Sequence, residues 1–332
     1  MIGESELFYY KKNVLVTGGA GFVGSNLIER LLELGADVTA TLHNKAAVIQ
    51  DNRITYLTCD LRNPEDCKQA VKNIDYVFMC AANTSGAKVM ATTPLVHLTP
   101  NLLMNINMLE ASYEAGVDKF LFMSSNTVYP LTDFAVKEGD VTNEFYKSYH
   151  IVAWMKRFTE IVCDMYATKI QKPMKTVVVR PGNLYGPRDK FDWEKSKVIP
   201  ALIRRAVERH SPFVVWGDGM DLKDFLYIDD YIDGMLSAME KLEEFQPVNI
   251  ASGKPVTIRE VLSTILQVSH YEDAIVEYDT TKPTMIPKRL IDISLAKEKL
   301  GWEPKISLQA GIQRTVNWYK ESFRDKIPEE MI

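Results

Sequence analysis

Along the first half of the chain, short apolar runs rich in β-branched residues alternate with longer stretches whose apolar positions recur at helical spacing. The short runs fall at 14–17, 38–42, 55–57, 76–80, 120–124 and 176–180. Between them, Leu27, Leu31, Leu32 and Leu34 mark the apolar face of a helix that Gly35 ends, and Asn63-Pro64 opens another with Pro64 in its first turn. Such alternation is the signature of βαβ units, so the pattern predicts an α/β fold built on a doubly wound parallel sheet of the Rossmann type. After Pro181 the rhythm shortens, with helical stretches near 199–209, 231–242, 258–269 and 308–323 separated by Gly- and Pro-bearing loops. We therefore expect a sheet-bearing domain over 1–181, with later crossings, and a smaller C-terminal α/β lobe over 182–332. No Pro/Ser-rich linker divides them, so a shared cleft at the carboxyl ends of the strands is the expected active site.

One turn on this frame carries chemistry of its own. The run Val14-Leu15-Val16-Thr17 leads straight into Gly18-Gly19-Ala20-Gly21-Phe22-Val23-Gly24 and then a helix. Glycines there permit a tight turn and close approach of a pyrophosphate, whose charge meets free N–H groups at the helix start. That setting predicts a nicotinamide dinucleotide as cofactor. An acidic residue about 20 positions on would bind the adenosine ribose, but the stretch reads Val38-Thr39-Ala40-Thr41-Leu42-His43-Asn44-Lys45. His43 and Lys45 suit a 2′-phosphate, which favours NADP over NAD; a solvated His and Lys on a loop is the plainer alternative.

Composition narrows the partners. The 332 residues carry a net charge of -5, so no basic excess argues for nucleic acid or an anionic membrane. Four scattered cysteines form neither a CxxC nor a Cys/His cluster, which argues against a disulfide framework and a metal site. The opening MIGESELFYYKK lacks the apolar run of a signal peptide, and no stretch is long enough for a membrane span, so a cytoplasmic enzyme is expected.

The order of further motifs is more specific than the glycines. Asp60-Leu61-Arg62, Cys80-Ala81-Ala82, Ser124-Ser125-Asn126-Thr127-Val128-Tyr129-Pro130, Arg180-Pro181-Gly182-Asn183-Leu184-Tyr185-Gly186-Pro187 and Asp224-Phe225-Leu226-Tyr227-Ile228-Asp229-Asp230 follow the turn in sequence. Together they resemble the extended short-chain dehydrogenase/reductase family of nucleotide-sugar epimerases, dehydratases and reductases. Lys197-Val198-Ile199-Pro200, Val214-Val215-Trp216-Gly217 and Asp279-Thr280-Thr281-Lys282-Pro283 leading to Arg289 are most similar to its GDP-fucose synthase-like, GDP-sugar branch. By that resemblance Gly18, Gly21, Phe22, Val23, Gly24, Asp60, Leu61, Ala81, Ala82 and Asn101 would hold the dinucleotide. Asn183, Val198, Trp216, Lys223 and Arg289 would face the sugar nucleotide. The chemistry agrees, since a diphosphate in an acidic protein needs focused cations, and Arg289 offers a fork where Lys223 offers a point charge. Lys223 as a surface lysine stays an equal alternative. The resemblance also implies a homodimer through helices near 101–114 and 149–166.

The family's redox centre uses a Ser or Thr, a Tyr, and a Lys four residues after that Tyr, the phenol exchanging the proton of a sugar alcohol as hydride moves. Ser125 matches the first and Lys156 the last, where Lys156 also serves the cofactor. Four residues before Lys156, however, stands Val152, which can exchange no proton. Tyr149 lies seven residues before Lys156 and about one helical turn from Val152, so its ring would reach the same face from a displaced position. Three readings stay open: Tyr149 as a relocated base, another group with Lys156 or water relaying protons, or lost redox activity with binding retained. Asn126-Thr127 replaces the Asp-Glu of the family's dehydratases, which argues against 4,6-dehydration. Thr127 stands where the GDP-sugar epimerising enzymes place a Cys, and Lys197 where they place a second acid. The expectation is hydride transfer at C4 of a GDP-linked sugar; a UDP-sugar 4-epimerase is the alternative.

Overall fold

The computed structural model describes residues 4–84, 93–193, 195–282 and 285–327. Six parallel strands form in the first half: β1 (Asn13–Val16), β2 (Asp37–Leu42), β3 (Ile54–Thr58), β4 (Tyr76–Met79), β5 (Lys119–Met123) and β6 (Lys175–Pro181). A seventh, Pro247–Ile250, returns from the second half of the chain and pairs in parallel with β6. Across the sheet the order is Pro247–Ile250, β6, β5, β4, β1, β2, β3. The sequence pattern shows six of these strands and passes over the seventh, because four residues that begin with a proline make too short an apolar run to register.

Successive side chains of a strand point to opposite faces, and both faces here are apolar. Val14, Val16, Phe78, Leu121, Val177 and Val179 pack with Leu27, Ile28 and Leu31 of the helix Phe22–Glu33 and with Met235 and Met239 of the helix Ile228–Lys241. Leu15, Val77, Met79, Phe120, Phe122 and Val178 pack on the other face with Cys67, Met108, Leu109 and Cys163. Those residues belong to the helices Pro64–Ala70, Thr99–Ala115 and His150–Thr168. Asn63 caps the first of them, its side chain accepting from Glu65 N–H at 3.1 Å, with Pro64 next as expected.

The C-terminal helices Val198–Val207, Ile258–Val268 and Leu308–Ser322 share one buried cluster with the sheet's first face. Beside them lies the parallel pair Phe213–Trp216 and Val276–Asp279. Among the described residues no helix is long and apolar enough to cross a membrane. Pro283 of the GDP-sugar-like motif lies outside the described residues.

Candidate active site at the carboxyl edge of the sheet

The glycine turn leaves β1 with no room for side chains. Gly18 has φ +70°, and a Cβ built on it would lie 2.9 Å from Ala81 Cα. A Cβ on Gly24 would collide with the carbonyl oxygen of Gly18. Ala81 is thus the wall of the turn, held there because Thr17 Oγ1 accepts from Cys80 N–H at 3.0 Å and from Ala81 N–H at 2.9 Å. The helix that follows begins at Phe22 with Gly21 as its cap residue and no side-chain cap, so its first N–H groups face outward for an anion. This cradle fits a dinucleotide pyrophosphate.

The other cofactor candidates frame the same edge. Asp60 is gripped by Arg62, whose Nε and Nη2 donate to its carboxylate, and is held down at about 2; His43 Nε2 lies 3.8 Å away. His43 and Lys45 are exposed beyond β2, Leu61 is buried and Ala82 exposed. Asn101 is 3% exposed and acts on the loop after β4: its Oδ1 accepts from Asn83 N–H at 2.7 Å and its Nδ2 donates to the Asn83 carbonyl at 3.1 Å.

Ser125 and Thr127 sit just beyond β5 on a segment pinned from several sides. Thr127 Oγ1 donates to Ser125 Oγ at 3.0 Å, and Thr127 N–H reaches the same oxygen at 3.2 Å. Asn126 Nδ2 donates to the Pro181 carbonyl at 2.8 Å. Below them Ser124 Oγ donates to Glu160 at 2.5 Å. Glu160, 0% exposed, forms a two-bond fork with Arg180 at 2.8 and 2.7 Å. Arg180 in turn donates to the Tyr129 hydroxyl at 2.9 Å. Sequence spacing marks Glu160 only as a helix position; its pairing with Arg180, 20 residues away on β6, depends on how helix and strand pack.

Lys156 extends from the helix His150–Thr168 toward this segment, where its Nζ donates to the Met123 carbonyl at 2.7 Å and lies 4.8 Å over the Phe122 ring. Burial pushes the ammonium down to about 8, with the neighbouring Cys80 and Glu160 pulling the other way. Tyr149 falls outside the helix: it ends a 3-10 turn, Lys147–Tyr149, and caps the helix that starts at His150. Burial pushes its phenol up to about 12, away from the range of a base at neutral pH.

The substrate candidates come from the C-terminal part of the chain. Arg289 is 2% exposed, donates to the Pro130 carbonyl at 2.8 Å and the Tyr129 carbonyl at 3.1 Å, and keeps its Nε without a hydrogen bond. Burial lowers it to about 10. Asn183 Nδ2 donates to the Asp224 carbonyl at 3.0 Å. Trp216 is 48% exposed at the end of its strand. Lys223 is no free surface lysine, since it pairs with Asp221 at 3.0 Å and donates to the Ile286 carbonyl. Val198 opens the helix Val198–Val207, whose cap residue is Lys197, again without a side-chain cap. The Lys197 ammonium lies 5.4 Å over the ring of Phe22, so the starts of the helices Phe22–Glu33 and Val198–Val207 meet there.

Comparison with known proteins gives the family and the fold. Residues 14–251 match the NAD dependent epimerase/dehydratase family. A GDP-L-fucose synthase of Escherichia coli is 33% identical over 94% of this chain and 98% of its own length. A putative GDP-L-fucose synthase of Arabidopsis thaliana is 32% identical over 94% and 93%. The crystal structure of a UDP-glucuronic acid 4-epimerase from Bacillus cereus, in complex with UDP-glucuronic acid and NAD, superposes with a TM-score of 0.82 at 25% identity, covering 94% of this chain and 100% of that one.

Proposed function

Because the chain belongs to the NAD dependent epimerase/dehydratase family and is an NAD(P)-dependent nucleotide-sugar enzyme, we propose that it moves hydride at C4 of a GDP-linked sugar. The observation that carries this reading is the meeting, at one sheet edge, of the uncapped glycine turn, the Ser125–Thr127 hydroxyl pair and the Lys156 ammonium. When bound, the nicotinamide supplies the hydride donor or acceptor. Gly18, Gly21, Phe22, Val23 and Gly24 hold the pyrophosphate, Ala81 and Ala82 border it, and Asp60 and Leu61 border the adenine. His43 and Lys45 receive a 2′-phosphate, which makes NADP the preferred form.

On the sugar, Ser125 orients the C4 oxygen, with Thr127 fixing its hydroxyl. Lys156 takes the place of the absent phenol. Its amine titrates near 8, so it accepts a proton from the C4 hydroxyl through a water in oxidation and returns it in reduction. Tyr149, held near 12, is not the base in this reading. Lys197, over the ring of Phe22, stands where the GDP-sugar epimerising relatives place a second acid, a role that hydride transfer at C4 alone does not call on. Arg289, a buried cation with an unfilled donor, and Lys223 take the diphosphate, while Trp216 packs on the sugar side.

The test is turnover: purified protein with GDP-, UDP-, CDP- and dTDP-sugars and each nicotinamide cofactor, followed by cofactor absorbance and by mass and NMR analysis of the sugar. GDP-sugar conversion is the expected result, and no conversion of any of them would sink the reading. The likeness to a UDP-sugar 4-epimerase favours a second reading, which predicts a larger thermal shift with UDP than with GDP.

A further inference from the structure

A lysine that the reaction scheme does not use spans the crevice at the glycine turn. Doubly wound sheets take a dinucleotide where the strand order reverses, which here is between β1 and its neighbour β4. Residues 187–190 run from one wall of that crevice to the other. On the β1 side, Asn26 Nδ2, one turn into the helix Phe22–Glu33, donates to the Pro187 carbonyl at 3.2 Å, and Arg188 forks onto Glu29 at 2.7 and 2.6 Å. On the β4 side, Lys190 Nζ donates to the carbonyl and the hydroxyl of Thr84, both at 3.0 Å. Thr84 follows Asn83, whose N–H is held by Asn101. An ammonium has three N–H donors, and Thr84 takes two of them. Among the described residues no carboxylate forms an ion pair with Lys190. Burial pushes its ammonium down, and the nearby Lys45 and Lys197 push it further, against an opposite pull from Asp189 and Asp192. In a chain of net charge -5, a half-buried cation gathered with two others is costly until an anion joins it.

We propose that Lys190 is a dinucleotide-binding residue: held across the crevice by Thr84, it gives its remaining N–H and its charge to the cofactor pyrophosphate, opposite the uncapped start of the helix Phe22–Glu33. The inference rests on the reading of the glycine turn as a nicotinamide dinucleotide site. The two contributions are complementary. Backbone N–H groups at a helix start offer partial charge and direction, whereas a lysine offers a full point charge. Because NAD and NADP share the pyrophosphate, Lys190 serves both alike, and the choice between them stays with His43 and Lys45.

Calorimetric binding of NADH, NADPH, ADP-ribose and GDP to the full chain tests it without turnover. Lys190→Met should weaken NADH, NADPH and ADP-ribose by a similar factor, roughly tenfold or more, and leave GDP near its wild-type affinity. Lys190→Gln, which keeps a donor for Thr84 but no charge, should lose as much, and Lys190→Arg much less. Wild-type affinity in Lys190→Gln would make Lys190 a mere tie between the two walls and overturn the proposal. A loss confined to NADPH would put the ammonium on the 2′-phosphate, and a loss confined to GDP would put it on the sugar nucleotide; either overturns it. If the wild-type protein binds NADH, NADPH and ADP-ribose but Lys190→Met binds them equally well, only the Lys190 assignment falls. If the wild-type protein binds none of the three, the dinucleotide reading falls and takes the assignment with it.

Discussion

At Val152 the helix offers a side chain that holds no proton, one turn before an ammonium that burial has brought near neutrality. In the proposed reaction, sugar oxidation needs the neutral Lys156 amine. Its rate should therefore rise with pH through about 8 and be lost below it, and reduction should show the opposite slope. Lys156→Met should abolish both directions while the protein keeps its cooperative unfolding. Val152→Tyr restores the phenol at the family's spacing, and at neutral pH it should raise kcat/KM by roughly tenfold or more, with the pH midpoint displaced from that of Lys156. An unchanged rate and midpoint in this variant would mean that the lysine is not acting in the phenol's place. The absence at Val152 is legible from sequence, because spacing alone reveals it. What Lys156 does about it is not, since its titration is lowered by burial and raised by Cys80, just after β4, and Glu160, while its ammonium sits against Met123 and Phe122 of β5.

Among the elements, the turn-and-helix unit Gly18–Glu33 is the one whose sequence states its geometry, because only glycine tolerates the contacts found at Gly18 and Gly24. Gly24→Ala places a methyl against the Gly18 carbonyl, and it should weaken dinucleotide affinity at least tenfold by calorimetry or fluorescence quenching while leaving nucleotide-sugar affinity near its original value. The helix His150–Thr168 is legible in its apolar face but not in its buried charge. Glu160 and Arg180 couple that helix to β6, and through Ser124 and Tyr129 they tie down both ends of the Ser125–Thr127 segment. Arg180→Met leaves Glu160 buried with the Ser124 hydroxyl and the partly exposed Arg157 as partners, and it should cost about 3–5 kcal/mol of unfolding free energy in urea titrations. A loss under 1 kcal/mol would show that the network adds little to the fold.

For the whole molecule, two helices on the second sheet face leave large apolar side chains in solvent: Leu103 is 45%, Trp154 40%, Phe158 46% and Met165 48% exposed. We propose that they form the contact of a homodimer, as the family resemblance implies. Sedimentation should give twice the chain mass, and Phe158→Glu should give a monomer at the same concentration. The parallel sheet could be read from the alternation of runs and helical stretches. The assembly of the C-terminal part of the chain could not, because its short strands pair over separations with no periodic trace, as Phe213–Trp216 does with Val276–Asp279.

The strand Pro247–Ile250 comes from that later part of the chain to close the sheet against β6. Its Asn249 accepts from the Tyr129 hydroxyl at 2.6 Å, so the segment bearing Ser125 is braced by a part of the chain made much later. A protein ending near residue 181 would keep the glycine turn yet expose the backbone of β6 as an unpaired edge. The nucleotide-binding half is therefore not a portable module: produced alone it should self-associate, and adding the remaining chain as a separate polypeptide should recover it only by restoring this strand.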